Sequence, residues 1–179
     1  CVLFYRLGDF YEMFFDDAIN VSRELELTLT GRDCGLDERA PMCGVPFHAA
    51  EIYISRLIAK GYKVAICEQL EDPSKTKGIV KRDVVRVVTP GTVIEGSMLD
   101  EGRNNFLCVA YADEMLSQIG ICFVDISTGE LHVSQLIGED VLPRFQNELG
   151  RFSPREILLN DILMAHHETV GFMTDRLGV

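Results

Sequence analysis

The chain has 179 residues, 47% hydrophobic and 25% charged, with a net charge of −11. This is ordinary globular composition and excludes a disordered chain. Apolar runs such as Val84-Val85 and Ile157–Leu159 fall far short of the roughly 20 residues that a membrane-spanning helix needs.

The first residues alternate large side chains over Val2–Leu7, which predicts a buried strand, and Gly8-Asp9 is a turn signal. Phe10–Phe15 is aromatic-rich and predicts a second strand, so the two form a hairpin. Asp16 is placed to cap a helix running to Glu24, with Ala18, Val21 and Leu25 on one face. Leu27–Thr30 reads as a short strand, and the Gly- and Pro-containing stretch Gly31–Phe47 as a loop. An amphipathic helix is expected over His48–Lys60, with Ile52, Leu57 and Ile58 inward and Gly61 ending it. Tyr62–Gln69 is a strand, Leu70–Gly78 a polar loop, and Ile79–Thr89 a long β-branched strand closed by Pro90-Gly91.

Composition changes over residues 93–103, which are expected to link a first domain, 1–92, to a second, 104–179. In the second, strands are expected at Phe106–Tyr111, Ile119–Ile126 and Glu130–Leu136, the last two joined by the hairpin-sized Ser127–Gly129. Asp140 is placed to cap a helix to about Gly150, with Pro143 tolerated in its first turn. Arg155–Leu159 returns as a strand. The fold class is therefore α/β, a mixed sheet with flanking helices followed by a small second α/β domain.

Charge divides along the same line. Residues 1–92 carry twelve Lys/Arg against fourteen Asp/Glu, a net of −2, whereas residues 93–179 carry five against fourteen, a net of −9. Within the first part, Lys75–Arg86 carries five basic residues and one acidic, a local basic stretch; its alternative reading is a solvated loop and strand face. The six cysteines include no CxxC pair. Cys34, Cys43 and His48 fit no common zinc spacing, so a reduced protein without a metal site is expected. No secretory signal is recognised in Cys1–Asp9, and no GxxxxGK[ST] phosphate loop occurs. The chain starts without Met, inside an expected strand, and reads as part of a longer protein.

Leu7–Phe14, the run LGDFYEMF, carries the chemistry. Strand alternation puts Phe10 and Glu12 on one face, just after a tight turn. An exposed Phe there can stack on an unpaired base or wedge between base steps, and a neighbouring carboxyl can hydrogen-bond a base edge. The alternative is that Phe10 is a core residue at a turn. Beside phosphates the carboxyl either accepts a hydrogen bond as an anion or, protonated, donates one.

Four blocks, Phe4–Phe14, Pro41–Ala49, Val64–Gln69 and Arg86–Thr92, closely resemble the mismatch-recognition domain of the MutS family, in order and at family-like spacing. Asp125–Gly129 resembles the opening hairpin of that family's ribonuclease H-like connector domain, truncated here. The resemblance implies that Phe10 stacks on the mispaired base and that Glu12 hydrogen-bonds it. It implies that Arg32 and the Pro41-Met42 loop lie close to the DNA backbone and groove, so the implied DNA-binding residues are Phe10, Glu12, Arg32 and Met42. The resemblance also implies a basic residue in some family members where Gly31 stands here. The implied partners are mismatched double-stranded DNA, a second copy bound through C-terminal regions, and a MutL-type repair protein docked on the connector. ATP and Mg²⁺ would belong to the parent protein's C-terminal domain, leaving this portion with no cofactor and no catalytic activity. A bacterial, cytoplasmic, nucleoid-associated location is implied, without membrane contact. Two other readings stand beside this one: a protein-interaction module built on the acidic second half, and a metal-dependent nuclease using Asp125.

Overall fold

The computed structural model describes residues 1–35, 37–71, 75–76 and 78–179. Parts of three expectations lie outside the described residues: Leu36 of the Gly31–Phe47 loop, Asp72, Pro73, Ser74 and Lys77 of the polar loop, and the same Lys77 of the basic stretch. The chain divides into two compact units, Cys1–Pro90 and Gly91–Val179.

In the first unit, β1 (Val2–Leu7) and β2 (Phe10–Phe14) form the expected hairpin, followed by α1 (Phe15–Leu25), β3 (Thr30–Arg32), β4 (Ala40–Pro46), α2 (Ala50–Ala59), β5 (Val64–Gln69) and β6 (Arg82–Val88). The six strands form one mixed sheet in the order β3-β4-β2-β1-β5-β6. Among the described residues of this sheet, only β1 and β5 pair in parallel. The core lies where Phe4, Met13, Val45 and Val64 meet Ala18, Val21 and Leu25 of α1 and Ile54 and Leu57 of α2.

Several local expectations are corrected. The stretch 31–47 is not a loop throughout, because β4 occupies its second half and pairs with both β2 and β3. Its period-2 signal is carried by Cys43 and Val45, both buried, and is obscured by Gly44 between them and by the flanking Pro41 and Pro46. The N-cap of α1 is Phe14, without a side-chain cap. Asp16 instead sits in the first turn with Asp17, where negative charge complements the helix dipole. Asp17 is spent across the sheet, accepting a 2.9 Å hydrogen bond from the Leu3 N–H. The helix expected from His48 begins as a single 3₁₀ turn, Phe47–Ala49. Ile52 faces solvent at 67% exposure, since the inward stripe runs through Ala50, Ile54, Leu57 and Ile58.

The second unit contains β7 (Phe106–Ala112), β8 (Gln118–Asp125), β9 (Glu130–Ile137), α3 (Val141–Phe152), β10 (Glu156–Leu159), α4 (Asp161–Met164) and α5 (His167–Phe172). Its sheet order is β10-β7-β8-β9, with β10 parallel to β7. Phe145 and Leu149 of α3 close the core over Cys108, Ile119 and Ile121, and the Phe152 ring stacks on Phe123 at 4.1 Å. The short helices α4 and α5 carry too few residues for a periodic signal and were not anticipated. Asp140 precedes α3 without a side-chain cap.

Asp125 ends β8 with 1% of its surface exposed. Its carboxylate accepts hydrogen bonds from Asn105 N (2.9 Å), Ser127 N (2.9 Å), Ser127 Oγ (2.6 Å) and Thr128 N (3.3 Å). Burial alone would raise its pKa, but these donors together outweigh burial and hold it below the ordinary aspartate value. A depressed folded-state pKa stabilises the fold above the unfolded value and is lost as pH falls through the folded one. Asp125→Asn is therefore expected to cost about 1–3 kcal/mol at neutral pH. In thermal melts, the gap between wild type and Asp125→Asn should close as pH drops below the ordinary aspartate range.

Candidate nucleic-acid interface

Helices α1 and α2 cover one face of the six-stranded sheet. The other face presents Phe10, Glu12 and Phe14 from β2, their partners Pro46, Gly44 and Met42 from β4, and Thr30 from β3. Alternation decides this: Tyr11 and Met13 are buried at 7% and 0%, so Phe10 and Glu12 must point the other way. Phe10 is 46% exposed. Phe10, Glu12, Thr28, Thr30, Met42 and Gly44 line one open groove of about 310 Å³. Phe10, Glu12 and Met42, named from the sequence, thus share one surface. Met42 belongs to β4, and not to a loop as expected.

Arg32, the fourth residue named, reaches across β4 so that its Nη1 pairs with Glu12 Oε2. The Arg32 side chain is 43% exposed and that of Glu12 only 16%. Gly44 keeps the groove floor low. A Cβ there would stand 3.2 Å from Tyr11 O and 3.5 Å from Glu12 Cγ.

The turn that carries Phe10 is braced by residues that the sequence reading did not connect. Gly8, the first residue of the two-residue connection, has φ +58°, the conformation that tight hairpin turns require and that glycine adopts without strain. Arg6 Nε donates to Gly8 O at 2.5 Å, and its guanidinium lies 3.7 Å from the centroid of the Phe47 ring. Phe47 N donates to Asp9 O at 2.9 Å, tying the end of β4 to the same turn. On the core side the Tyr11 hydroxyl donates to Glu68 Oε1, and Arg6 approaches Glu68 at 3.9 Å. Arg82 Nε donates to Arg6 O at 2.8 Å. No sequence signal links Tyr11 to Glu68, because they are 57 residues apart.

The other sequence candidates fall elsewhere. The Cys43 thiol contacts Ala18 O at 3.6 Å, and burial followed by nearby Asp17 pushes its pKa to about 11. Cys34 is exposed, and His48 sits in the 3₁₀ turn with its ring edge-on to Phe47. Among the described residues no group of three or more His, Cys, Asp and Glu is placed to hold a metal ion. Among the described residues no helix is long and apolar enough to cross a membrane.

Comparison with known proteins matches this architecture. The family model described as MutS domain I matches residues 1–97, and that of MutS domain II matches residues 105–177. The chain belongs to the MutS family. It is 55% identical over 178 residues to the DNA mismatch repair protein MutS of Ruminiclostridium cellulolyticum, covering 99% of this chain and 20% of that protein. It is 58% identical over 160 residues to the protein of that name from Acetivibrio thermocellus, covering 89% of this chain and 18% of the relative. The Desulforamulus reducens protein is 58% identical over 169 residues, 94% of this chain and 19% of its own length. The chain spans about a fifth of the length of these curated MutS relatives.

The open groove therefore lies in the part that matches MutS domain I. The brace behind it has a measurable signature. Burial first, then the hydrogen bond to Glu68, raise the Tyr11 phenol from 10.0 to about 12. In an absorbance titration Tyr11 is expected to ionise later than an ordinary tyrosine, and Tyr11→Phe should remove that late step. Because the folded-state pKa is raised, the contribution of Tyr11 to stability is complete below the unfolded value of 10.0 and is lost as pH rises toward 12.

Proposed function

We propose that the open face of the six-stranded sheet reads mismatched double-stranded DNA as the recognition module of a full-length MutS protein. The observation that supports this is a half-exposed Phe10 ring with Glu12 on the same face, over a groove that Met42 also lines. Phe10 stacks on the mispaired base from the minor groove, and Glu12 hydrogen-bonds that base. A mispair unstacks at lower cost than a matched pair, so the site reads deformability as well as base edges. Met42 packs along the groove wall, and Arg32 stands beside Glu12, close to the backbone. Neither unit performs chemistry: ATP and Mg²⁺ serve a C-terminal domain, and dimer formation uses regions outside these two units. The parent protein works in the bacterial cytoplasm, at the nucleoid.

In the full-length protein, Phe10→Ala is expected to lose about 1–3 kcal/mol of preference for a G·T mispair over a matched duplex, with ATP hydrolysis retained. Unchanged selectivity in a fluorescence-anisotropy titration would remove the assigned role. Glu12→Ala should reduce overall affinity less, since it also relieves repulsion from phosphates.

A second reading applies to the acidic unit. The face of its sheet away from α3 exposes Val109, Tyr111, Leu131, Val133, Ile137 and Leu158, more apolar surface than an isolated sheet face usually leaves in water. We propose that this unit docks protein, including the MutL-type repair partner, while DNA avoids its −9 charge. Amide chemical-shift mapping should show DNA perturbing residues 1–92 and the protein partner perturbing residues 104–179. DNA-induced shifts concentrated in 104–179 would reverse the assignment.

A further inference from the structure

Glu12 poses an electrostatic problem for any nucleic-acid surface. It puts a carboxylate where phosphates must approach, and the other groove-lining residues, Phe10, Thr28, Thr30, Met42 and Gly44, are uncharged. The structure supplies a compensating cation from two strands away. Arg32 extends over β4 and contacts Glu12 Oε2 through Nη1, while Gly44, the residue of β4 directly opposite Glu12, has no side chain to crowd the carboxylate. The pair is lopsided in exposure, 43% for the Arg32 side chain and 16% for that of Glu12, so the carboxylate is sheltered and the cation faces out.

We infer that Arg32 is a positioning residue that acts on DNA through Glu12: it sets the direction of the carboxyl along the groove wall and cancels its charge toward the approaching backbone. The inference rests on the proposed reading of Phe10 and Glu12. It differs from assigning Arg32 an independent phosphate contact. A phosphate contact strengthens binding to every duplex alike, because phosphates carry no sequence information. A residue that orients Glu12 changes the ratio between mispaired and matched duplexes, and has nothing to act on once Glu12 is neutral. With the Arg32 end of the pair open to solvent, the pair contributes little to folding, so its loss leaves the domain folded.

The test is a double-mutant cycle in the full-length protein, reading affinity for a G·T duplex and for its matched counterpart. Arg32→Gln is expected to lower the mispair-to-match ratio about tenfold in the wild-type background, and by less than about twofold in the Glu12→Gln background. Arg32→Lys keeps the charge and should restore part of the ratio. An Arg32→Gln variant that weakens both duplexes by one common factor, with or without Glu12, is acting on phosphate and overturns the inference. So does one that changes neither duplex. Phe10→Ala is measured alongside: if it alone keeps full discrimination, the proposed reading fails whatever Arg32 does. Thermal melts of each variant separate loss of folding from loss of discrimination.

Discussion

The register of β2 is the constraint on which the candidate site depends. With a side-chain period of two, a one-residue slip of this strand would bury Phe10 and Glu12 and expose Tyr11 and Met13. The slip is blocked from several directions. Met13 is fully buried, and Tyr11 is buried with its hydroxyl on Glu68. Gly8 confines the reversal to two residues, and β4 pairs with β2 along its whole length, from Phe10↔Pro46 to Phe14↔Met42. The Phe10–Glu12 pair on one face is thus held by polar and apolar contacts made on the other. Arg6 joins the two sets, since it braces the Gly8 carbonyl, covers the Phe47 ring and faces Glu68.

The second unit solves a similar problem with different parts. Its core is aliphatic and aromatic, from Ile119 and Ile121 to the stacked Phe123 and Phe152. Its tightest polar feature is the Asp125 turn, where a nearly inaccessible carboxylate satisfies the backbone N–H groups of Asn105, Ser127 and Thr128. A two-metal nuclease needs carboxylates that converge on ions with oxygens free to coordinate. Oδ1 of Asp125 closes its own hairpin through Ser127 and Thr128, and Oδ2 accepts from Asn105 N ahead of β7, which gives a conspicuous aspartate at the end of a strand a structural reason to be there.

How much was legible in the sequence followed from how local each signal was. The β1–β2 hairpin, β7 through β9 and β10 were readable because alternation and turn residues lie within a few positions of one another. So was the shared face of Phe10 and Glu12, which needs only strand periodicity. β4 was misread because Pro41, Gly44 and Pro46 are breakers by propensity, yet sheet neighbours on both sides pair the strand. Ile52 was misplaced because hydrophobicity alone does not choose between Ile52 and Ile54 as the inward position of α2. The Arg32–Glu12 pair and the Arg6–Phe47–Glu68 brace could not be read at all. Both join residues brought together only by the strand order of the completed sheet.

That strand order also accounts for the shape of the groove. Thr30 and Met42 are register partners, and Met42 pairs in turn with Phe14 two residues beyond Glu12, so three strands contribute one row of side chains beside the carboxyl. Sheet packing places small or absent side chains at Gly44 and Thr30, while the bulk stands at Phe10 and Met42 on the rims. A stability-driven surface would shed an aromatic ring into the core or cover it with a helix. Here the two helices are both committed to the opposite face, and the ring is left half-exposed beside a carboxylate paired with Arg32. An arrangement that exposes apolar area on a rigid, braced strand is suited to a ligand that brings its own flat apolar surface, and an unstacked base is such a surface.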